Sequence, residues 1–187
     1  MLLTSKTTSK RYEVKKSLFI SYLTPIKEFK SLLKDLKKEH PKASHIIYAY
    51  RTLNEYEQIV ENSSDDGEPK GCAGAPTLAV LRGDNIIESA VITVRYFGGV
   101  KLGTGGMIRA YTNACQEVIK SSKLETYEKK FLVTFDIPYS LNNRYEHFFN
   151  SEKISYLDRK FETNSILWSL HLTKDDIERF EKFKRSL

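Results

Sequence analysis

The stretch 95-RYFGGVKLGTGGMIRAY-111 places five of the chain's nine glycines, Gly98, Gly99, Gly103, Gly105 and Gly106, within nine positions. Before it runs 86-IIESAVITVRYF-97, whose β-branched, apolar centre reads as a strand. After it, 107-MIRAYTNACQEVIK-120 puts Met107, Ala110, Tyr111, Ala114, Val118 and Ile119 on one helical face. A strand, a glycine turn and a helix make a natural anion site. Backbone N–H groups at the helix N-terminus point outward, and the helix dipole favours negative charge. Lys101, Thr104 and Arg109 are close enough in sequence to assist, as is Arg95 at the strand end. The same glycines would equally let the loop lie against another backbone segment with positive φ. The obvious neighbour is the second glycine-containing loop, 63-SSDDGEPKGCAG-74. Both readings stay open from the residues alone.

Standard nucleotide fingerprints do not fit. A P-loop needs a lysine before its Ser/Thr, and here Gly103 is followed directly by Thr104. A dinucleotide motif starting at Gly103 finds Ile108 where its third glycine belongs. In the second loop, Asp65, Asp66 and Glu68 are candidate Mg²⁺ ligands, which would imply phosphoryl transfer. Read structurally, Asp-Gly is a turn pair whose acids bond their own backbone. They can also pair with Arg95 or Arg109 and tie the two loops together. Cys72 with His45 is the one conceivable nucleophile–base pair, resting on a lone Cys and a lone His.

Working outward, 24-TPIKEFKSLLKDLKKEH-40 reads as an amphipathic helix, with Thr24 as N-cap and Pro25 at the first helical position. Before it, 11-RYEVKKSLFISYL-23 looks extended. After it, 43-ASHIIYAYRTL-53 and 56-YEQIVEN-62 form a strand pair around Asn54. A short helix covers 75-APTLAVLRG-83, with Pro76 near its start and Gly83 just past its end. Residues 121–130, SSKLETYEKK, read as a helix end and linker. Beyond them the pattern restarts as β-α-β-β-α. FLVTFDIPY turns Phe131, Val133, Phe135 and Ile137 to one side, and a helix presents Tyr145, Phe148 and Phe149. Two strands, ISYLDRKFE and SILWSLHLT, meet at Thr163–Asn164, and Thr173 and Asp176 stand at capping-box spacing. This is a split βαβ unit lacking its last strand, and Trp168 reads as core. The fold class is α+β, in two domains, 1–125 and 130–187.

The chain carries a net charge of +6. Residues 1–60 hold twelve Lys/Arg against six Asp/Glu, so the basic excess sits in the first third. Lys10, Arg11, Lys15, Lys16 and the lysine-rich helix contribute to it, which points to an anionic partner or to a solvated helix face. No apolar run reaches the roughly 20 residues that span a bilayer. The opening MLLTSKTTSKRYEVKK does not read as a signal peptide. Two cysteines, Cys72 and Cys115, make neither a disulfide framework nor a metal motif, the pattern of a reduced cytoplasmic protein.

SSDDGEPKGCAGAPTLAVL followed by ITVRYFGGVKLGTGGMIRAY resembles the signature of the YigZ/IMPACT family, and KSLFI and HPKASHIIYAYR resemble further family segments. The signature positions are Asp65–Pro69, Gly71, Ala73, Gly74 and Pro76, then Arg95–Gly99, Leu102–Gly106 and Arg109–Tyr111. Cys72 stands where threonine is usual in the family. The resemblance implies a ribosomal-protein-S5-domain-2-like first domain and a small ferredoxin-like, elongation-factor-like second one. Eukaryotic members act in translational control, and bacterial ones are associated with nucleic acid or ribosomes. The expectation is therefore a non-enzymatic, translation-linked binding protein without a cofactor, whose partner is RNA, the ribosome or a translation-associated protein. Lys101 and Arg109 would carry charge, and Tyr96, Phe97 and Tyr111 would either stack on bases or belong to the core. The alternatives are an enzyme using the acids and glycine loop, or a pure protein-interaction module.

Overall fold

Strand alternation sets the architecture of the first part of the chain. The computed structural model describes every residue except Ser155, and only the backbone of Tyr156 and Leu157. The chain divides into two compact units, Met1–Tyr127 and Glu128–Leu187. In the first, β1 (Leu2–Thr4), β2 (Thr8–Val14) and β3 (Ser17–Pro25) lead into α1 (Ile26–Glu39). Then follow β4 (His45–Leu53), β5 (Ile59–Ser64), α2 (Gly74–Gly83), β6 (Ser89–Tyr96), α3 (Thr104–Lys120) and β7 (Leu124–Thr126). Five strands form an antiparallel sheet in the order β2-β3-β6-β4-β5.

Each central strand divides its side chains between two layers, because successive residues face opposite sides. Ile20, Ile46, Ile92 and Val94 meet Phe29 and Leu36 of α1 on one face. On the other, Phe19 and Ile47 meet Ala110, Tyr111 and Ala114 of α3, and Leu23, Ala49 and Val91 meet Leu78 and Leu81 of α2. β6 is central and covered on both faces, which explains its near-continuous burial. Arg95 is in phase with Val91 and Thr93, on the α2/α3 side.

The structure revises several expectations. The extended run before α1 is two strands, joined by a hairpin whose turn residues Lys15 and Lys16 both have positive φ. Thr24 does not cap α1. It belongs to β3, its hydroxyl bonds that of Thr7 at 2.7 Å, and Pro25 takes the cap position without a side-chain bond. α3 begins at Thr104 rather than Met107, so Gly105 and Gly106 form its first turn. Gly83 is the last residue of α2 rather than the one after it. Ile86 and Ile87 precede the strand as a buried connection, with Glu88 half-buried after them, and only Ser89–Tyr96 pair in the sheet. The polar stretch 121–130 contains β7, which pairs with β1. Asn54 does organise the β4–β5 turn, accepting from the backbones of Tyr56 and Gln58 at 3.0 and 2.8 Å.

The second unit runs β8 (Phe131–Pro138), a single 3-10 turn, α4 (Asn142–Ser151), β9 (Tyr156–Phe161), β10 (Ser165–Leu172) and α5 (Lys174–Lys184). The strand read over ISYLDRKFE appears from Tyr156, while Ser155 lies outside the described residues. The sheet order is β8-β10-β9, fully antiparallel. Ile137, Tyr145, Phe149, Ile166, Trp168 and Phe180 form its aromatic core. Thr173 and Asp176 make the expected capping box.

Candidate functional site

Burying Arg95 in a sheet facing two helices demands a counter-charge, because an unpaired buried cation is strongly destabilising. The 65–73 loop brings one. Glu68 is as buried as Arg95, and its Oε1 accepts both from Arg95 Nη1 and from the Tyr111 hydroxyl, the latter at 2.6 Å. Burial raises the Tyr111 phenol above its ordinary pKa, and the bond to Glu68 pushes it further, so it stays a donor. Arg95 also lies over the Phe19 and Phe97 rings, 5.5 and 5.9 Å from their centroids, and touches Met107 Sδ at 3.6 Å. His45 closes the cluster at its rim. Its Nδ1 donates to the Asp66 carbonyl at 2.7 Å, while Nε2 stands 3.8 Å from Glu68 Oε2. One carboxylate thus joins β4, β6, α3 and the acidic loop.

The other two acids are engaged as firmly. Asp65 accepts from the backbone N–H groups of Gly71, Ala73 and Gly74 at 2.8, 3.1 and 2.8 Å, closing the N-terminus of α2 from nine residues away. Partial burial opposes its ionisation, yet those three donors outweigh it and hold the carboxyl below its usual range. Asp66 turns the chain at φ 45° and its carboxylate accepts from Ile46 N at 2.6 Å. The acids therefore do not converge, and no group of three metal-ligating side chains occurs among the described residues. Each of the three candidate Mg²⁺ ligands is instead engaged by a donor of the protein itself. Cys72 is buried, and no hydrogen bond joins it to His45 among the described residues.

Gly98 answers why the glycine segment is so bare. A Cβ there would sit 2.0 Å from the carbonyl carbon of Lys16 and 2.3 Å from Ser17 N, so the loop lies directly on the β2–β3 turn. Gly98 N also donates to Ser17 Oγ at 3.2 Å. The backbone neighbour is thus this hairpin, and the acidic loop is linked instead through Glu68 and Arg95. Gly99 and Gly103 have positive φ, Gly103 at 72° where the chain enters α3. Thr104, Gly105 and Arg109 lie on the exposed side of the first turns of α3, and Gly106 rests against Leu102.

Of the basic residues, Lys15, Lys16, Lys101 and Arg109 are exposed, and the first two are brought to the glycine loop by the Gly98 contact. Lys10 and Arg11, both exposed, are successive residues of the edge strand β2 and face opposite sides of the sheet. Tyr111 is fully buried and Tyr96 shares a 2.8 Å bond with His40, which leaves Phe97 and Val100, 50% and 43% exposed, as the loop's presented apolar groups. The sequence did not single out Ser17, and it offered His45 only as a base for Cys72 rather than as a partner of the acidic loop. The phase of Arg95 within β6 was the available signal, since it makes a buried cation in need of a partner.

These features define a layered protein of mixed helices and antiparallel sheet whose best-built polar cluster fixes two loops beneath an exposed basic and apolar rim. The family model for the Impact N-terminal domain matches residues 15–119. An IMPACT family member of Haemophilus influenzae is 33% identical over 171 residues, 90% of this chain and 82% of that protein. Escherichia coli YigZ is 35% identical over 128 residues, 67% of this chain and 62% of YigZ. A crystal structure of a hypothetical protein superposes over 96% of this chain and 88% of its own, at TM-score 0.67 and 26% identity. The chain belongs to the IMPACT family.

Proposed function

We propose that this chain is a translation-linked regulator acting by binding rather than by catalysis, and that its glycine-loop rim meets an RNA-bearing surface such as the ribosome. The observation that carries this reading is the division of labour around Gly98. The charges Asp65, Asp66, Glu68 and Arg95 hold the scaffold. Lys15, Lys16, Lys101, Arg109, Phe97 and Val100 are exposed at its surface. Such a rim attracts phosphate and offers apolar contact without reorganising. The reading uses no cofactor and a reduced, cytoplasmic setting, which suits free, buried Cys72 and Cys115. No helix among the described residues is long and apolar enough to cross a membrane.

The same reading takes residues 1–125 as an S5-domain-2-like domain and 130–187 as a ferredoxin-like one. The order β8-β10-β9, with β10 inserted between the two strands that α4 connects, supports the second assignment. Co-sedimentation with purified ribosomes at 50 and 200 mM salt tests the function. Wild-type protein is expected to bind at low salt and to release at high salt. The double variant Lys101→Ala/Arg109→Ala is expected to bind about tenfold more weakly. Ribosome binding unchanged in the double variant, or absent at both salts, refutes the assignment of the rim.

A further inference from the structure

The opposite face of the five-stranded sheet is covered unevenly. α1 packs on β3, β6 and β4 and leaves β5 without comparable cover. By register, Tyr48, Tyr50 and Thr52 share that face with Ser64, Asn62 and Val60, and Val60 is 39% exposed. A cleft of about 370 Å³ opens there, lined by Ile26, Lys27, Phe29, Lys30, Tyr50 and Thr52. The Tyr48 and Tyr50 rings are nearly parallel, 11° apart with centroids at 6.3 Å. Phe29 buttresses both, with centroids 5.1 and 5.3 Å away, so the pair is held in place from the helix side.

Charge on α1 is sorted by flank. At 100° per residue, Glu28, Asp35 and Glu39 share one flank, and Glu28 accepts from Thr7 at 3.0 Å on the side away from the cleft. Lys30 and Lys37, seven residues apart, fall on the flank above β4, with Lys27 and Lys34 beside them. All four lysines are exposed, and none has a carboxylate within ion-pair reach among the described residues. The nearby acid, Glu88, is engaged by the Thr52 hydroxyl and Leu53 N–H at 2.8 and 2.6 Å.

We propose that this cleft is a docking surface for single-stranded RNA, with bases on the Tyr48–Tyr50 pair and the phosphate backbone along the lysine flank. An uncompensated cationic row beside half-buried aromatic rings, Tyr50 lining the cleft itself, is the combination that single-stranded nucleic acid uses, one for the backbone and one for the bases. An acidic peptide would be served by the lysines but would gain nothing specific from two parallel rings. The surface lies across the sheet from Glu68 and Arg95, so it goes beyond the glycine-loop reading and is tested separately from it.

The experiment is fluorescence anisotropy of a labelled eight-residue oligouridylate at several salt concentrations. Wild-type protein is expected to bind with a clear salt slope. Lys30→Glu/Lys37→Glu is expected to lose at least tenfold in affinity and to show a shallower slope by about one unit or more. Tyr50→Leu, which keeps an apolar contact for Phe29, is expected to lose about tenfold, and Tyr50→Phe to bind as wild type. Circular dichroism melts of each variant separate lost binding from lost folding. The proposal is overturned if wild type does not bind the oligonucleotide, or if the charge-reversal variant binds it equally. It is also overturned in favour of an acidic protein partner if Tyr50→Leu binds normally and polyglutamate competes as well as RNA. Loss of ribosome binding in Lys101→Ala/Arg109→Ala with oligonucleotide binding intact would separate the two surfaces.

Discussion

At the scale of single residues, the glycine segment holds glycines of three physical kinds, and their substitution energies should separate. Gly98 is a packing glycine, since a methyl group would overlap Lys16 backbone atoms at 2.0 and 2.1 Å, and the turn and loop that meet there are both tethered by the adjoining Leu18–Tyr96 pairing of β3 with β6. Gly98→Ala should destabilise the protein by about 3 kcal/mol. Gly99 has open space but φ 82°, so Gly99→Ala should cost about 1 kcal/mol through backbone strain alone. Gly105 is helical, and an added Cβ meets only the Arg109 guanidinium at 3.7 Å, so Gly105→Ala should stabilise by about 0.5–1 kcal/mol. Urea denaturation of the three variants checks the order, and equal effects would contradict it. From sequence, five clustered glycines announced a close approach but not what approached. That partner is the Lys16–Ser17 turn, more than eighty positions earlier, and only the sheet register brings it there.

At the scale of elements, helices were legible wherever their own residues specified them. The capping box of α5 and the apolar stripe of α3 are local patterns, and the structure keeps both. The start of α1 was misread because Thr24 is a good cap by type, yet β3 claims it by pairing with Ala90 of β6. The cap of α2 was invisible because Asp65 is nine residues from Gly74, and only the loop's fold aims it at the helix. Asp65→Asn leaves an acceptor for Ala73 and Gly74 but turns an amide donor toward Gly71 N–H, and removes a charge from a helix N-terminus. The expected loss is about 2 kcal/mol at pH 7. Since the carboxyl is held below its ordinary range when folded, this stabilisation is complete above about pH 5, beyond the unfolded value near 3.9. It disappears as pH falls through the lower folded value. Stability curves for wild type and Asp65→Asn should therefore be parallel at neutral pH and converge in acid, by chemical denaturation at a series of pH values. A gap that persists to pH 2 would mean that the charge is not what caps α2.

At the scale of the whole molecule, the division into two units follows the restart of hydrophobic patterning near residue 130, but the polar stretch before it hides a strand. Three residues are too few for period-two alternation to register, and β7 exists because its partner β1 is waiting at the other end of the unit. The pairing secures more than itself. Leu2 and Leu124 pack on the cluster of Leu23, Ile86, Val91 and Val118. Leu2 also exchanges backbone bonds with Asn85 and Ile87, at 2.9 and 2.8 Å. A fragment ending at residue 127 keeps all of this and should melt in one cooperative transition. A fragment ending at residue 121 loses Leu124 and the β1 ladder together. With a half-buried leucine worth about 1 kcal/mol and the freed strand about as much again, its midpoint should fall by about 5–10 °C. Amide exchange at Leu2 and Ile87 should accelerate in the shorter fragment, while Ile92 and Val94 in the central strand stay protected. Equal melting temperatures for the two fragments would show that β7 decorates the first unit instead of closing it.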